Sequence, residues 1–523
     1  MEILYAAAEM VPWIKVGGLA DVAAALTREL AERGHHVRIC LPFARSVRAH
    51  AEALAPEPVA ELQVRCAERT ESGRLWRAAN PGSAAELFLI ENDTYFDRPN
   101  PYVDPATGRD WPDNAYRFAF FGRAVLAACD ALDWQPELIH LNDYQVAPIA
   151  FWLSAQGWGE GRHAALAQSA TVLSIHNLGY QGIYPELQEG EPEVELARRA
   201  RALAAELGIA ERHVRPFGAF EFHRRINFMK AGLLAADLVT AVSPTYAREI
   251  QTPELGFGLD GVLRERGDRL VGILNGIDVE AWDPARDSLI PQPYGPSDFQ
   301  GKRENKARLL EAMHLPAHPR LPLIGMISRL VDQKGFDLLA RIADDLLPAG
   351  RLRMVVLGSG QPVYEQLCRD LAQRYPDHFS AAIDFNDPLA HLIEAGSDFF
   401  LMPSRYEPCG LNQMYSMRYG TVPIVRATGG LADTVSEFDA HTGRGSGFLF
   451  HDYEPEALRA AIERALAAYA RPRAFKKLIV KLMNRDFSWA AAAAEYEAAY
   501  ARARALRRER PAAGGAAAAR PAP

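Results

Sequence analysis

The chain is 523 residues long, 49% hydrophobic and 24% charged, the composition of a folded globular protein and not of a disordered or fibrous one. Its length exceeds what one hydrophobic core supports, so at least two domains are expected. With 58 Lys plus Arg against 66 Asp plus Glu, a net charge of -8, no basic excess is available to neutralise phosphates along a strand, which argues against a nucleic-acid partner.

Short apolar runs alternate with helix-length segments along the chain. A strand is expected at 3–8, followed by a helix at 19–33 with Leu19, Val22, Ala23, Leu26 and Leu30 on one face and Gly34 as its stop. Further strands are expected at 37–41, 87–90, 138–141, 171–175 and 238–242. The alternation breaks at about 276–301, a stretch rich in Pro, Asp and Gly. A new series then opens with a helix (KRENKARLLEAM) and strands at 323–327, 354–357, 399–402 and 422–425. This pattern reads as α/β, two Rossmann-like halves with parallel sheets covered by helices on both faces. The halves are placed at 1–270 and 271–486. Trp489, Tyr496 and Tyr500 lie at helical spacing in a segment, 487–507, that must dock somewhere, and the Ala/Pro/Gly/Arg tail at 508–523 has nothing to bury and is expected to be disordered.

The five cysteines, Cys40, Cys66, Cys129, Cys368 and Cys409, form no C-x-x-C pair, which excludes a disulfide scaffold or zinc knuckle and fits a reducing cytosol. The first residues have no basic n-region and are interrupted by Glu2, Glu9 and Lys15, unlike a signal peptide. No apolar run reaches the roughly 18 residues that span a bilayer. A cytoplasmic protein without a membrane partner is expected.

The pentapeptide Gly-Gly-Leu-Ala-Asp occurs at 17–21 and again at 429–433, once per proposed domain. An isolated glycine pair is as readily a tight turn as a ligand site. Two copies, each read as a strand-to-helix turn, favour a ligand approached by backbone and helix N-termini from both halves of a cleft. Neither copy fits a Walker loop or G-x-G-x-x-G, which disfavours a P-loop ATPase and a nicotinamide dehydrogenase. Lys15, Arg329 and Lys334 fall near carboxyl ends of expected strands and together would balance a diphosphate, although exposed cations are usually just solvated. No Asp-x-Asp dyad or H-E-x-x-H is present, so no metal and no cofactor are expected. His176 closes a strand at HNLGYQG. Glu407, in SRYEPCGLNQMYS, either starts the following helix or faces a substrate.

These residues sit in longer blocks: KVGGLADV, YFDRP, DNAYRFAFF, HNLGYQGIYP, NFMKAGLLAADLVTAVSPTYAREIQTPELGFGLDG, LNGID, SRLVDQKG, PSRYEPCGLNQMYSMRYGTVPIVRATGGLADTV and DFSW. With them the chain resembles the bacterial glycogen synthases and plant starch synthases, retaining glucosyltransferases of the GT-B architecture, over all but its tail. The resemblance implies two domains facing a deep cleft, with the last helix packed back on the first. It implies transfer of glucose from ADP-glucose to the non-reducing 4-hydroxyl of an α-1,4-glucan such as glycogen. Carried over, Lys15 lies at the donor diphosphate, Arg329 and Lys334 stabilise the leaving ADP, His176 contacts the donor glucose, and Glu407 is the essential carboxylate. Gly18, Asp21, Asn275, Thr428, Gly429 and Gly430 line the pocket, and Asp143 matches the aspartate of the family's Asp-Trp motif.

The chain departs from the family at three places. Tyr144 replaces the tryptophan of that motif. Phe385 stands where a tyrosine often meets adenine. Tyr415 stands where the wider class carries a second glutamate, as is usual in this branch. The alternatives are a related glucosyltransferase with another donor or acceptor, or a non-catalytic glucan-binding relative. The second of these would be favoured by loss of Lys15, His176, Arg329, Lys334 or Glu407, all of which are present.

Overall fold

The computed structural model of the chain describes residues 1–154, 165–318 and 320–509. It divides into two compact units, the first made of Met1–Val242, Ala247–Ile273 and the helix Trp489–Glu509, the second of Ser243–Tyr246 and Leu274–Ser488. Arg508 and Glu509 close that last helix instead of opening a tail; 510–523 lie outside the described residues.

The strands of unit 1 are β1 (Glu2–Ala6), β2 (His36–Pro42), β3 (Glu57–Cys66), β4 (Arg69–Ala78), β5 (Glu86–Glu91), β6 (Leu138–Asn142) and β7 (Ala170–Ile175), the short β8 (Ile183–Tyr184), β9 (Glu221–Phe222) and β10 (Arg225–Asn227), then β11 (Leu238–Ala241) and β12 (Leu270–Gly272). Among the described residues nine of them form one sheet in the order β12-β11-β7-β6-β1-β2-β5-β4-β3, and β8-β10-β9 form a small second one. Pairing is parallel from β12 through β5. It is antiparallel only at the β4 and β3 edge. The inner strands β6 and β7 are buried at every position, which is why they read as mostly apolar runs without alternation. The far half of β3 instead alternates exposed and buried residues, a period-two signal that a search for apolar runs does not see. Pairing of β12 with β11 carries unit 1 past residue 270, to Ile273.

Unit 2 contains β13 (Leu323–Ile327), β14 (Arg353–Leu357), β15 (Phe379–Ala382), β16 (Phe399–Met402), β17 (Val422–Arg426) and β18 (Phe448–Phe450). They form a sheet in the order β15-β14-β13-β16-β17-β18, parallel throughout. Counted from its own first strand the order is 3-2-1-4-5-6, the doubly wound arrangement whose direction of travel reverses between β13 and β16. In unit 1, β1 lies between β6 and β2, so its reversal falls between β1 and β6. Ligands of such sheets bind beyond the carboxyl ends of the strands at that reversal. Both units are therefore Rossmann-like, as the alternation of strands and helices implies.

Trp489, Tyr496 and Tyr500 of the last helix lie in the core of unit 1 with Ile3, Leu26 and Val172. A buried polar line runs beneath that helix. Tyr500 Oη meets His140 Nδ1 at 2.8 Å, His140 Nε2 meets Ser174 Oγ at 2.6 Å, and Ser174 Oγ meets Thr240 Oγ1 at 2.6 Å. Burial, with His176 nearby, pushes the His140 imidazole down to about 3. The unfolded chain thus binds a proton near pH 6.5 that the folded one refuses, so this contribution to stability is full above about pH 6.5 and is lost as the pH falls toward 3. His140→Gln removes it. Between about pH 6.5 and 4.5 the variant should lose about 2–3 kcal/mol less than the wild type, read as a shallower fall of unfolding free energy with acidification. Parallel pH profiles of the two proteins would contradict this.

Among the described residues no helix is long and apolar enough to cross a membrane. The five cysteines are free and buried.

Candidate active site

In unit 2 the loops after β13 and β16 are joined contact by contact. Arg405 N–H donates to Gln333 O at 2.8 Å, and Gln333 Nε2 donates to Tyr406 O at 3.1 Å. Lys334 Nζ then donates to Glu407 Oε2 at 2.6 Å. Gly335 makes the approach possible: its φ is +75°, and a Cβ there would lie 2.1 Å from Pro403 O. Ser404 Oγ donates to the same Glu407 oxygen at 2.9 Å. Glu407 is buried, and its side chain meets Lys334 and Ser404 instead of the N–H groups of the helix Asn412–Arg418, whose N-cap is Leu411. Its alternative role as a helix-start residue is thereby excluded. Arg329 is exposed on the loop after β13.

The second pentapeptide clamps the Glu407 loop from the side of β17. Gly430 N–H donates to Glu407 O at 3.2 Å. A Cβ on Gly429, whose φ is +45°, would lie 1.9 Å from Glu407 O, and one on Gly430 would lie 2.1 Å from Cys409 O. These glycines are dictated by backbone meeting backbone. Asp433, which ends the pentapeptide, accepts Thr245 N–H at 2.9 Å and Thr245 Oγ1–H at 2.6 Å within the same unit. Thr428 and Asn275 are buried, and Asn275 Oδ1 has no hydrogen-bond partner there, a buried acceptor of the sort a ligand hydroxyl would satisfy. Phe385, ahead of the helix Asp387–Gly396, is 74% exposed, so its ring face is open. Tyr415 is not at a ligand surface. It stacks on Trp282 at 3.9 Å, and Trp282 stacks in turn on His391 at 3.9 Å.

In unit 1 the first pentapeptide is built differently. Gly17 is the N-cap of the helix Gly18–Glu32, with φ −144° and no atom within 4 Å of a Cβ placed on it. The loop Ala7–Val16, not a tight turn, separates it from β1. Its N–H is already taken: the buried carboxylate of Glu9 accepts Val16 N–H at 2.5 Å and Gly17 N–H at 2.9 Å through Oε2. The glycine pair is thus not a bare anion cradle; of its two N–H groups, the one on Gly17 is committed to Glu9. Asp21 binds Lys15 Nζ at 2.9 Å in a half-exposed pair that orients the lysine more than it stabilises the fold.

His176 and Asp143 lie at the ends of β7 and β6. Asn142 Nδ2 donates to Ala6 O at 3.0 Å, which turns Asn142 Oδ1 toward His176 Nε2 at 2.9 Å. Nε2 therefore carries the proton and Nδ1 the lone pair. Burial pushes this imidazole down to about 3, so it is neutral in ordinary buffers and acts as a hydrogen-bonding group, not a cation. Asp143, expected at a substrate, is buried in a left-handed conformation (φ +59°), and its Oδ1 accepts His176 N–H at 2.7 Å. Desolvation pushes its carboxyl up to about 7. Its geometry is that of a residue shaping the His176 loop. Tyr144 fills core space between Phe118, edge-on at 5.6 Å, and Gly182, where a Cβ would lie 2.5 Å from its ring. Sequence reasoning missed Glu9, Asn142 and Ser404. Of these only Glu9, a carboxylate inside an apolar stretch ahead of a glycine pair, left a usable trace.

Known proteins resemble the chain over nearly its whole length. Residues 2–265 match the starch synthase catalytic domain model and residues 314–479 the glycosyl transferases group 1 model. A glycogen synthase of Anaeromyxobacter sp. is 45% identical over 500 residues, covering 96% of this chain and 99% of its own. One from Anaeromyxobacter dehalogenans is 47% identical over 501 residues, covering 96% and 98%. The catalytic domain of starch synthase IV from Arabidopsis thaliana, solved bound to ADP and acarbose, superposes with a TM-score of 0.84 at 31% identity, covering 96% of this chain and 99% of that one. The chain belongs to the glycogen synthase and starch synthase family of glycosyltransferases.

Proposed function

We propose that the chain transfers glucose from ADP-glucose to the non-reducing 4-hydroxyl of an α-1,4-glucan, with retention at C1. The observation that carries this reading is the Lys334–Glu407 pair, held by two interlocked loops at the reversal point of a doubly wound sheet. An ammonium has three N–H donors, and Glu407 takes one of those on Lys334. The others, with Arg329, oppose the charge that grows on the diphosphate as the C1–O bond breaks. The acceptor hydroxyl attacks from the face the phosphate leaves, and its proton passes to the departing phosphate oxygen. Glu407 sits beside the oxocarbenium-like sugar, offering Oε1 to its hydroxyls while Oε2 stays with Lys334 and Ser404. On the unit 1 residues the reading gives Lys15 and Gly18 to the diphosphate and the neutral His176 Nδ1 to a donor hydroxyl.

The open face of Phe385 supports adenine, since base–aromatic stacking is worth roughly 1–3 kcal/mol. Stacking alone separates bases poorly, so the buried Asn275 and Thr428 would have to add to it. With glycogen as acceptor, kcat/KM for ADP-glucose should exceed that for UDP-glucose. Equal or better transfer from UDP-glucose would remove the adenine assignment.

A further inference from the structure

Glu9 has no place in the mechanism above, yet it is one of the best satisfied buried carboxylates in unit 1. Its Oε2 accepts Val16 N–H at 2.5 Å and Gly17 N–H at 2.9 Å, while Oε1 accepts Tyr102 Oη–H at 2.6 Å. All three donors belong to loops, and no Lys or Arg pairs with it among the described residues. Burial, and to a smaller extent the charge of Asp21, pushes its carboxyl up, and these same bonds pull it only part of the way back. The Tyr102 loop is itself fixed, because Asn114 Nδ2 donates to Tyr102 O at 2.9 Å and Asn100 Oδ1 accepts Tyr102 N–H at 2.9 Å. Glu9 therefore transmits the position of an anchored loop to the two peptide groups between Lys15 and Gly18.

A carboxylate whose task was only to fill space would not need two consecutive backbone donors and a third from another loop. Asp143 does the same at His176, accepting the N–H of His176 at 2.7 Å, so both unit 1 loops with proposed donor contacts hang from buried carboxylates. We infer that Glu9 is a positioning residue for the donor diphosphate, aiming Lys15 and the Gly18 N–H by holding Val16 and Gly17. This rests on the reading that Lys15 meets the diphosphate.

Glu9→Gln keeps the geometry: its carbonyl accepts both backbone N–H groups, and its amide N–H can donate to Tyr102 Oη. Glu9→Ala leaves both N–H groups without their acceptor. For Glu9→Ala the KM for ADP-glucose should rise about tenfold or more while the KM for glycogen holds, and Glu9→Gln should restore the donor KM to near the wild-type value. Hydrogen–deuterium exchange at residues 16–20 should speed up in Glu9→Ala and not in Glu9→Gln. Should Glu9→Ala fail to fold, Tyr102→Phe, which removes one donor, should give a smaller rise in the same donor KM. An unchanged donor KM with unchanged exchange overturns the inference, as does a Glu9→Gln as impaired as Glu9→Ala. If the wild-type chain does not turn over ADP-glucose, the transfer reading fails, and the exchange comparison still decides whether Glu9 holds the loop.

Discussion

Glu407→Gln should lower kcat about 10²–10³-fold, the size of effect seen when one preorganised electrostatic contact is lost. Its fold should survive, because the amide oxygen can accept from Lys334 and Ser404 just as Oε2 does. What the substitution removes is the negative charge beside Lys334 and beside the place proposed for the reacting sugar. Glu407→Ala is a poorer probe. It strands the Lys334 ammonium, 17% exposed, without its partner and should cost a further 1–3 kcal/mol or so of stability. Measuring kcat and Tm on both variants separates chemistry from folding. A Glu407→Gln enzyme with near-normal turnover would reduce the pair to a structural ion bridge.

The two copies of Gly-Gly-Leu-Ala-Asp should respond unequally to an added methyl group, one destabilised and the other unchanged. Gly429→Ala, the counterpart of Gly17→Ala, drives a Cβ to 1.9 Å from Glu407 O at a φ of +45°, so the loop carrying Glu407 must move. Overpacking of this kind costs roughly 1–3 kcal/mol. A displacement near 1 Å of a reacting group can cost about 10²-fold in rate, so activity should fall further than stability. Gly17→Ala meets nothing within 4 Å and keeps an extended φ, so its Tm should match the wild type. Equal thermal shifts in the two variants would mean that the glycines serve a shared purpose after all.

That asymmetry marks where sequence stops being readable. The repeat announces two related turns, but only the partners show that one copy is forced by backbone contact and the other is an open helix start tied to Glu9. Buried parallel strands such as β6, β7 and β16 are legible because both faces are buried and most of their residues are apolar. The antiparallel strands β3 and β4 carry little but alternation, β15 is buried only at its first position, and β18 is three residues long. Glu407 and Lys334 are legible as neighbours of strand ends, while their 2.6 Å contact depends on Gly335 letting two loops 73 positions apart touch. For Asp143, residue type and motif carry no orientation. The left-handed turn at its own backbone sends its carboxylate toward the His176 loop.

Retained transfer of glucose to a glucan end can be read from the 1H NMR spectrum of the product. The full chain would be incubated with ADP-glucose and maltoheptaose and followed in real time. A new α-anomeric signal should grow in step with ADP, on chains lengthened at the non-reducing end, with no free glucose. A β-anomeric product, or glucose released without chain extension, would contradict it.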